Sequence, residues 1–209
     1  MRFWIAVIFS GLILLTACSN PAADKPKAVT SEATTATPQS PAQAEKYSIT
    51  PQNSRIEFVA SKVTGSHNGS FKDFSGEIDY AELAANRRVN VTIKMASVET
   101  DTPDLTKHLQ TPDFFDVAKF PQATFTSMEI KSEGDKGAPY TITGNFQLHG
   151  LTKSISFPAT ITERSDVIGV ESTFSINRKD FGINYAGAAN NLIRDEVVIS
   201  LHIKAEKAK

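Results

Sequence analysis

Cysteine and tryptophan are nearly absent from this chain of 209 residues, which contains one of each. With Cys18 as its single cysteine, the chain cannot form an internal disulfide or a zinc site with several thiolate ligands. The four histidines, His67, His108, His149 and His202, do not occur at the His-x-x-x-His spacing of a helical zinc site. We therefore expect neither a metal nor another cofactor.

Positive charge is not concentrated in any part of the chain. The 22 lysines and arginines balance 23 aspartates and glutamates, which gives a net charge of −1. Nucleic-acid-binding domains instead carry a basic face interleaved with aromatic residues. We interpret the pair Arg87-Arg88 as a solvated turn before a strand, and we expect no nucleic-acid partner.

Signatures of catalysis are also missing. The sequence has no Gly-x-Ser-x-Gly motif, which positions the nucleophilic serine of many hydrolases. Asp113 and Asp116 could form a carboxylate pair, but Asp113 is already explained by a position at the start of a helix, where negative charge is stabilising. We therefore expect a binding protein and not an enzyme.

The long apolar run lies at the N-terminus, from Phe3 to Leu15, and is too short for a permanent membrane-spanning helix. It ends in Leu15-Thr16-Ala17-Cys18, which resembles a bacterial lipoprotein signal, in which small residues precede an acylated cysteine. Residues 1–17 are thus predicted to be a signal peptide and Cys18 the lipid attachment site; an ordinary secretory signal is the alternative. In such lipoproteins an aspartate after the cysteine is the familiar retention signal for the inner membrane, but here Ser19 follows Cys18. The resemblance therefore implies a cell-envelope lipoprotein that faces the periplasm, with the outer membrane favoured.

Residues 18–46 differ in composition from the rest of the chain. They contain no aromatic residue and are rich in alanine, proline, threonine and serine. Such a segment buries too little apolar surface to offset its conformational entropy, so we expect a disordered tether after the acylated Cys18. A flexible tether of this length spans about 30 Å on average. The folded domain is predicted to occupy residues 47–207.

Within that domain, apolar and polar residues alternate with the period of two that is typical of strands with one buried face. We predict about eight strands, separated by turns that include Ser66–Gly69 and His149–Lys153. Eight antiparallel strands can close into an up-and-down barrel, although alternation alone is also compatible with a two-sheet sandwich. The predicted strands are centred on residues 56–61, 76–80, 89–95, 123–130, 140–148, 155–159, 170–176 and 197–204.

A short helical insertion interrupts the strands. Thr102-Pro103-Asp104-Leu105 and Thr111-Pro112-Asp113-Phe114 repeat one pattern, with threonine before the helix, proline at its first position and aspartate in its first turn. Leu105 and Leu109 would share one face. The insertion is predicted to form two short helical turns.

The order of short motifs along residues 47–205 resembles the YceI-like family of exported lipid-binding proteins. Each motif alone is weakly specific, and the resemblance depends on many of them occurring in one order. They are Tyr47-Ser48-Ile49, Ser54–Phe58, Gly65–Phe71, Phe74–Ile78, Ala96–Thr100, His108-Leu109, Asp113–Asp116, Phe120-Pro121, Gly144–Lys153, Asp180–Ile183 and Asp195-Glu196-Val197.

The resemblance implies an all-β, lipocalin-like antiparallel barrel that holds a long polyisoprenoid, without catalysis and as a homodimer. The residues themselves indicate an apolar interior, since 13 phenylalanines accompany only four tyrosines. An eight-stranded barrel leaves either a filled core or room for one small ligand. The first hypothesis is therefore binding, carriage or sequestration of a polyisoprenoid or an isoprenoid quinone-like molecule in the cell envelope. The second is an envelope interaction or structural protein with a packed barrel and no ligand.

The predicted ligand contacts are phenylalanines and three polar residues. His67 and His108 fall in predicted non-strand segments, and Arg178 directly follows a strand, so each could meet a head group. No catalytic residue is predicted. The phenylalanines of the predicted site are Phe58, Phe71, Phe74, Phe114, Phe115, Phe125, Phe146, Phe157 and Phe174.

Overall fold

A computed structural model of the chain describes residues 20–35, 44–81, 86–132, 139–189 and 191–208. The predicted signal peptide and the acylation site at Cys18 lie outside these residues. Two short 3-10 helices (Met95–Ser97 and Arg178–Phe181) accompany one α-helix, α1 (Pro103–Leu109), in the described ranges. The strands are β1 (Val29–Glu32), β2 (Glu45–Ile49), β3 (Arg55–Lys62), β4 (Gly65–Phe71), β5 (Phe74–Tyr80), β6 (Arg88–Lys94), β7 (Val98–Thr100), β8 (Gln122–Lys131), β9 (Tyr140–Leu148), β10 (Leu151–Arg164), β11 (Val167–Asn177), β12 (Gly187–Ala188), β13 (Asn191–Leu192) and β14 (Glu196–Lys207).

The long strand β14 closes the sheet into a barrel. One edge of β14 pairs with β11, and the other pairs with β3 and then with β2. β4 pairs with β3, and β5 pairs with β2. On their other edges β4 pairs with β7, and β5 pairs with β6. β8, β9, β10 and β11 complete the circuit. The wall is a closed eight-stranded antiparallel barrel. Each of the three positions after β14 is occupied by two strands in succession, first β3 and β2, then β4 and β5, and then β7 and β6. The predicted barrel is confirmed, and the sandwich alternative is wrong.

One end of the barrel, called here the helical end, carries the connections that contain α1 and the second 3-10 helix. The connections at this end are the β3–β4 turn, α1 with residues 110–121, the two-residue turn after β9, and residues 178–189 and 191–195 after β11. His149 and Gly150 make that two-residue turn, with φ of 51° and 77°. Positive φ at both positions is the geometry that joins twisted antiparallel strands most tightly.

The predicted turn at Ser66–Gly69 is wrong, because these residues lie within β4. Gly69 is paired with Phe58 of β3, and a Cβ atom at Gly69 would lie 2.1 Å from Phe58 Cζ. The glycine therefore makes room for a ring that lies across the strand, and it does not signal a chain reversal.

The helical insertion is half confirmed. In α1, Pro103 and Asp104 occupy the first turn as predicted, although the Thr102 side chain makes no capping hydrogen bond. Leu109 is buried, and Leu105 packs against the core.

The second repeat of the insertion forms turns and not a helix. The Phe115 amide donates to the Leu109 carbonyl at 3.0 Å, and the Val117 amide donates to the Gln110 carbonyl at 3.1 Å. These bonds fold the chain back onto the end of α1. Asp116, with a φ of 45°, reverses the backbone direction. Asp113 is bonded to His108 and does not begin a helix.

The predicted disordered tether is wrong for residues 20–35, which lie against the barrel. Strand β1 pairs antiparallel with β10, and Glu32 forms an ion pair with Lys153 at 2.6 Å. Ala28 is buried within the core cluster. Backbone hydrogen bonds to an otherwise unpaired strand edge hold this segment, and such bonds depend little on side-chain hydrophobicity. Composition alone therefore did not indicate it.

Candidate ligand-binding cavity

The barrel interior contains a void, called here cavity 1, with a volume of about 130 Å³. Its lining consists entirely of apolar side chains that point inward from the strands. A void needs about 10–15 Å³ to hold one water molecule, but an apolar void much larger than this stays dry. The lining residues are Ile49, Ile56, Phe71, Ile78, Val89, Val91, Ile93, Phe125, Ile142, Phe146, Ile155, Phe157, Val170, Phe174, Ile176, Ile199, Leu201 and Ile203.

A second void, cavity 2, has a volume of about 100 Å³ and extends toward the helical end. It is lined by residues of the insertion and of the segment after β11, together with strand residues. The lining residues are Phe58, Ala60, Phe71, Ile93, Met95, Leu109, Phe114, Phe115, Ala123, Phe146, Leu148, Ile176, Arg178, Ile183, Ile193, Val197 and Ile199.

The two cavities are adjacent sections of one interior, because five side chains line both of them. Phe71 and Phe146 are among these, and both are only partly buried. The residues lining both cavities are Phe71, Ile93, Phe146, Ile176 and Ile199.

The predicted phenylalanines are placed around this interior with one exception. Phe74 is buried in the core but lines neither cavity. Phe157 and Phe174 stack with ring centroids 4.3 Å apart, and Phe58 and Phe71 lie 5.7 Å apart. Cavity 1 contains Phe71, Phe125, Phe146, Phe157 and Phe174, and cavity 2 contains Phe58, Phe71, Phe114, Phe115 and Phe146.

Sequence reasoning missed the aliphatic residues that form most of the lining. Their signal was present in the alternation itself: Ile199, Leu201 and Ile203 of β14 all face cavity 1. The phenylalanines were selected because they are large, whereas inward position along a strand identifies lining residues of any size.

Neither histidine of the predicted site belongs to the described lining. His67 lies within β4, not in a loop, and its Nδ1 is 2.8 Å from the Asp101 carboxylate. His108 Nε2 is 2.8 Å from the Asp113 carboxylate, and its ring packs edge-on against Phe114. In this structure both imidazoles contact acidic side chains on the outside of the barrel.

Arg178 reaches the interior, where it is the one charged residue in the lining of cavity 2. Its side chain is nearly inaccessible to solvent, which excludes a solvated turn. The guanidinium donates to the carbonyls of Arg194 at 3.1 Å, Ile183 at 2.5 Å and Ile193 at 3.4 Å. Burial lowers the pKa of Arg178, and the negative charge of Asp195, 3.2 Å away, opposes this shift.

These contacts give Arg178 a structural position. Its hydrogen bonds join the end of β11 to Ile183 and to residues 193–195 at the helical end. Most of its donors are already used by protein acceptors. The arrangement therefore favours a role for Arg178 in fixing the segment after β11 in place, and not in recognising an anionic head group.

The opposite end of the barrel carries a polar cluster of Tyr80, Arg87 and Glu163. Arg87 is buried, so its interpretation as part of a solvated turn was wrong. It forms an ion pair with Glu163 and lies 4.4 Å from the centre of the Tyr80 ring. Burial alone would raise the pKa of Glu163, but hydrogen bonds from Tyr80 and Arg87 outweigh this and leave it below its ordinary value.

Within the described ranges, no group of three or more histidine, cysteine, aspartate or glutamate side chains is placed to hold a metal ion. In the same ranges, none of the helices has the length and apolarity needed to cross a membrane.

Comparison with known proteins yields curated relatives that match part of this chain. Protein YceI of Salmonella arizonae is 42% identical over 122 residues, which cover 55% of this chain and 62% of the relative. Protein YceI of Salmonella paratyphi B matches to the same extent. The match therefore spans less than two thirds of the length of these relatives.

Solved structures share the fold over most of their length. BcnA of Burkholderia cenocepacia is 23% identical, with a TM-score of 0.63, over 75% of this chain and 98% of that one. A polyisoprenoid binding domain from Saccharophagus degradans, described as implicated in plant cell wall breakdown, is 17% identical, with a TM-score of 0.63, over 79% of this chain and 100% of that one. The YCEI protein of Campylobacter jejuni is 28% identical, with a TM-score of 0.59, over 68% and 85%.

The profile of the YceI-like domain matches residues 47–205. This range is well over half of the chain and contains the strands from β3 to β13, together with most of β2 and β14. The chain therefore belongs to the YceI-like family.

Proposed function

We propose that the barrel binds one long apolar molecule of the isoprenoid class, such as a polyisoprenoid or an isoprenoid quinone, and carries or sequesters it without catalysis. The observation that carries this proposal is the pair of adjacent apolar cavities. Together they exceed the ~150 Å³ of an engineered apolar void that stays dry and binds benzene. The family and the polyisoprenoid binding domain from Saccharophagus degradans supply the ligand class.

Filling the interior is energetically favourable for the protein. Empty cavities in protein cores cost roughly 24 cal/mol per Å³, which amounts to about 3 kcal/mol for cavity 1 and about 2 kcal/mol for cavity 2. A bound chain would recover much of this and would lose its own contact with water, at about 0.8 kcal/mol for each buried CH₂. An apolar chain therefore needs no polar contact to bind tightly.

The lining also argues against catalysis. Arg178 is the single titratable side chain among the residues that surround the two cavities, and most of its donors are bonded to protein acceptors. A nucleophile or a general acid and base would have to lie within hydrogen-bonding reach of the bound molecule. The alternative of an interaction protein with a packed barrel is disfavoured by the cavities themselves.

We further propose that the chain acts in the cell envelope as a lipoprotein acylated at Cys18 and facing the periplasm, and that the serine at position 19 favours the outer membrane. In such a chain only three residues separate Cys18 from Ala22, a buried residue of the docked segment. Four residue steps span at most about 14 Å. The barrel would therefore lie close to the membrane surface, not some 30 Å from it.

Mass spectrometry of the full chain, purified from membranes without denaturation, tests both parts of the proposal. The organic extract should contain an isoprenoid in a nearly stoichiometric amount, because the cavities retain it during purification. The intact protein should begin at Cys18 and exceed the mass of that polypeptide by its acyl groups, and Cys18→Ser should lack this added mass.

The lipid extract and the mass of the intact protein test the two parts of the proposal independently. An organic extract identical to one prepared by the same purification from cells that lack the chain would contradict isoprenoid binding. A protein that lacks acyl mass would contradict the lipoprotein proposal and leave the ligand result unaffected.

A further inference from the structure

The barrel wall is split between β10 and β11 on the side of the helical end. These strands pair with each other only from Thr160 to Arg164 and from Val167 to Glu171. Beyond that point β10 continues to Leu151 and β11 continues to Asn177 without mutual pairing. Pro158 lies just past the branch and has no amide hydrogen to donate, and its carbonyl accepts a bond from the Ser172 hydroxyl at 2.5 Å.

The N-terminal segment from Pro26 to Glu32, called here the strap, occupies this split. On one side, β1 pairs with Lys153–Ser156 of β10. On the other, the Ser175 amide donates to the Pro26 carbonyl at 2.8 Å, and the Ala28 amide donates to the Ser175 carbonyl at 2.8 Å. The strap is therefore an additional wall strand in the part of the barrel where β10 and β11 separate.

The split leads directly to cavity 1. The inward side chains that flank it are Ile155 and Phe157 on β10 and Phe174 and Ile176 on β11, and all four line that cavity. The stacked rings of Phe157 and Phe174 lie at the inner side of the split. Neighbouring strands lie about 4.8 Å apart, so removal of the strap would leave β10 and β11 about 10 Å apart. An extended hydrocarbon chain would pass through such an opening once the stacked rings of Phe157 and Phe174, which bridge β10 and β11, have moved apart.

The strap is held more weakly than the strands beside it. Ala28 is its buried apolar residue, and Val29 is 66% exposed. Its ion pairs, Glu32 with Lys153 and Lys27 with Glu196, are exposed and contribute little. Segments that bury few apolar groups open at lower free energy than the whole fold. We therefore expect the strap to open before the barrel unfolds.

We propose that the strap is a removable wall strand that closes a lateral portal between β10 and β11, through which the apolar ligand reaches cavity 1. This inference rests on the proposed function, because a portal has meaning only for a barrel that binds a ligand. It adds the route by which the ligand passes and the segment that controls the passage.

A reversible crosslink tests the portal. In the full chain with Cys18→Ser, the substitutions Val29→Cys and Ser156→Cys place two thiols on paired residues of β1 and β10. Directly paired residues have Cα separations of about 4.5–5.5 Å, within the range that a disulfide bridges. The measured quantity is the rate at which preloaded pyrene-labelled farnesol leaves the protein for phosphatidylcholine vesicles.

Oxidation should slow release at least about tenfold, and reduction should restore the rate, because local opening of the strap is required for passage. The matched control is Thr173→Cys with Ser200→Cys, which crosslinks β11 to β14. The hydroxyl oxygens of Thr173 and Ser200 are 3.4 Å apart in the native chain. That crosslink should leave the release rate unchanged.

An oxidised strap variant that releases the probe as fast as the reduced one would overturn the portal. Equal slowing by the control crosslink would also overturn it, since general stiffening would then explain the effect. A reduced variant that takes up no probe would contradict the proposed function, and the portal would fall with it.

Discussion

Replacing Ile199 by tryptophan should stabilise the empty barrel and abolish retention of the proposed isoprenoid ligand. Ile199 lines both cavities, so a larger side chain there fills space that is empty in the unliganded protein. At roughly 24 cal/mol per Å³, partial filling should raise the free energy of unfolding by about 1–2 kcal/mol. In a packed core the same substitution would instead cost about 1–3 kcal/mol through overpacking.

The sign of the stability change therefore separates a cavity from a packed core. Urea denaturation of the delipidated protein measures it, and extraction measures the bound isoprenoid. The matched control is Ile130→Trp, because Ile130 is buried but lines neither cavity. That variant should lose about 1–3 kcal/mol. Destabilisation of similar size at both positions would contradict the account and favour the packed barrel.

Replacing Arg178 by methionine should cost about 3–5 kcal/mol of folding free energy. The substitution removes a buried guanidinium that bonds to three carbonyls and to Asp195, and it leaves those acceptors without their donor. Methionine preserves much of the volume, so the loss reports the hydrogen bonds more than the packing. Hydrogen exchange at residues 183–189 and 191–195 should accelerate, because this segment loses its attachment to β11.

Lys179→Met is the matched control for Arg178. Both residues contact the same carboxylate, since Lys179 Nζ lies 2.9 Å from Asp195 Oδ2. Lys179 is exposed, however, and its ion pair should contribute less than about 1 kcal/mol. Similar losses in urea denaturation for the two variants would show that burial of Arg178 has no special structural role. Lost isoprenoid binding with unchanged stability would instead assign Arg178 to the ligand.

The barrel strands were predictable because each has one apolar face. The alternation at 197–204, for example, became the strand whose residues Ile199 and Leu201 face the cavity. β4 was missed because Gly69 and its polar neighbours are typical of turns. Its strand conformation depends on pairing with β3 and on the Phe58 ring over Gly69, and a single segment does not reveal such long-range contacts.

The strap was missed for a related reason. Its residues have the composition of a linker, and what holds it is a pair of strand edges that lie over a hundred residues further along the chain. The cavity could be predicted only as a class of site, since alternation indicates inward faces but not whether the inward side chains fill the space between them. Arg178 likewise appeared as an exposed charge after a strand, because its acceptors belong to a connection that the sequence pattern leaves undefined.

Affinity for geraniol, farnesol and geranylgeraniol tests most directly whether the barrel binds an apolar chain along its interior. These alcohols share one head group and differ by one isoprene unit. If the chain lies along the interior, Kd should fall at least about tenfold with each added unit, because each buried CH₂ contributes about 0.8 kcal/mol and 1.4 kcal/mol corresponds to a factor of ten. Equal Kd values for the three alcohols, or no binding to the delipidated protein, would contradict it.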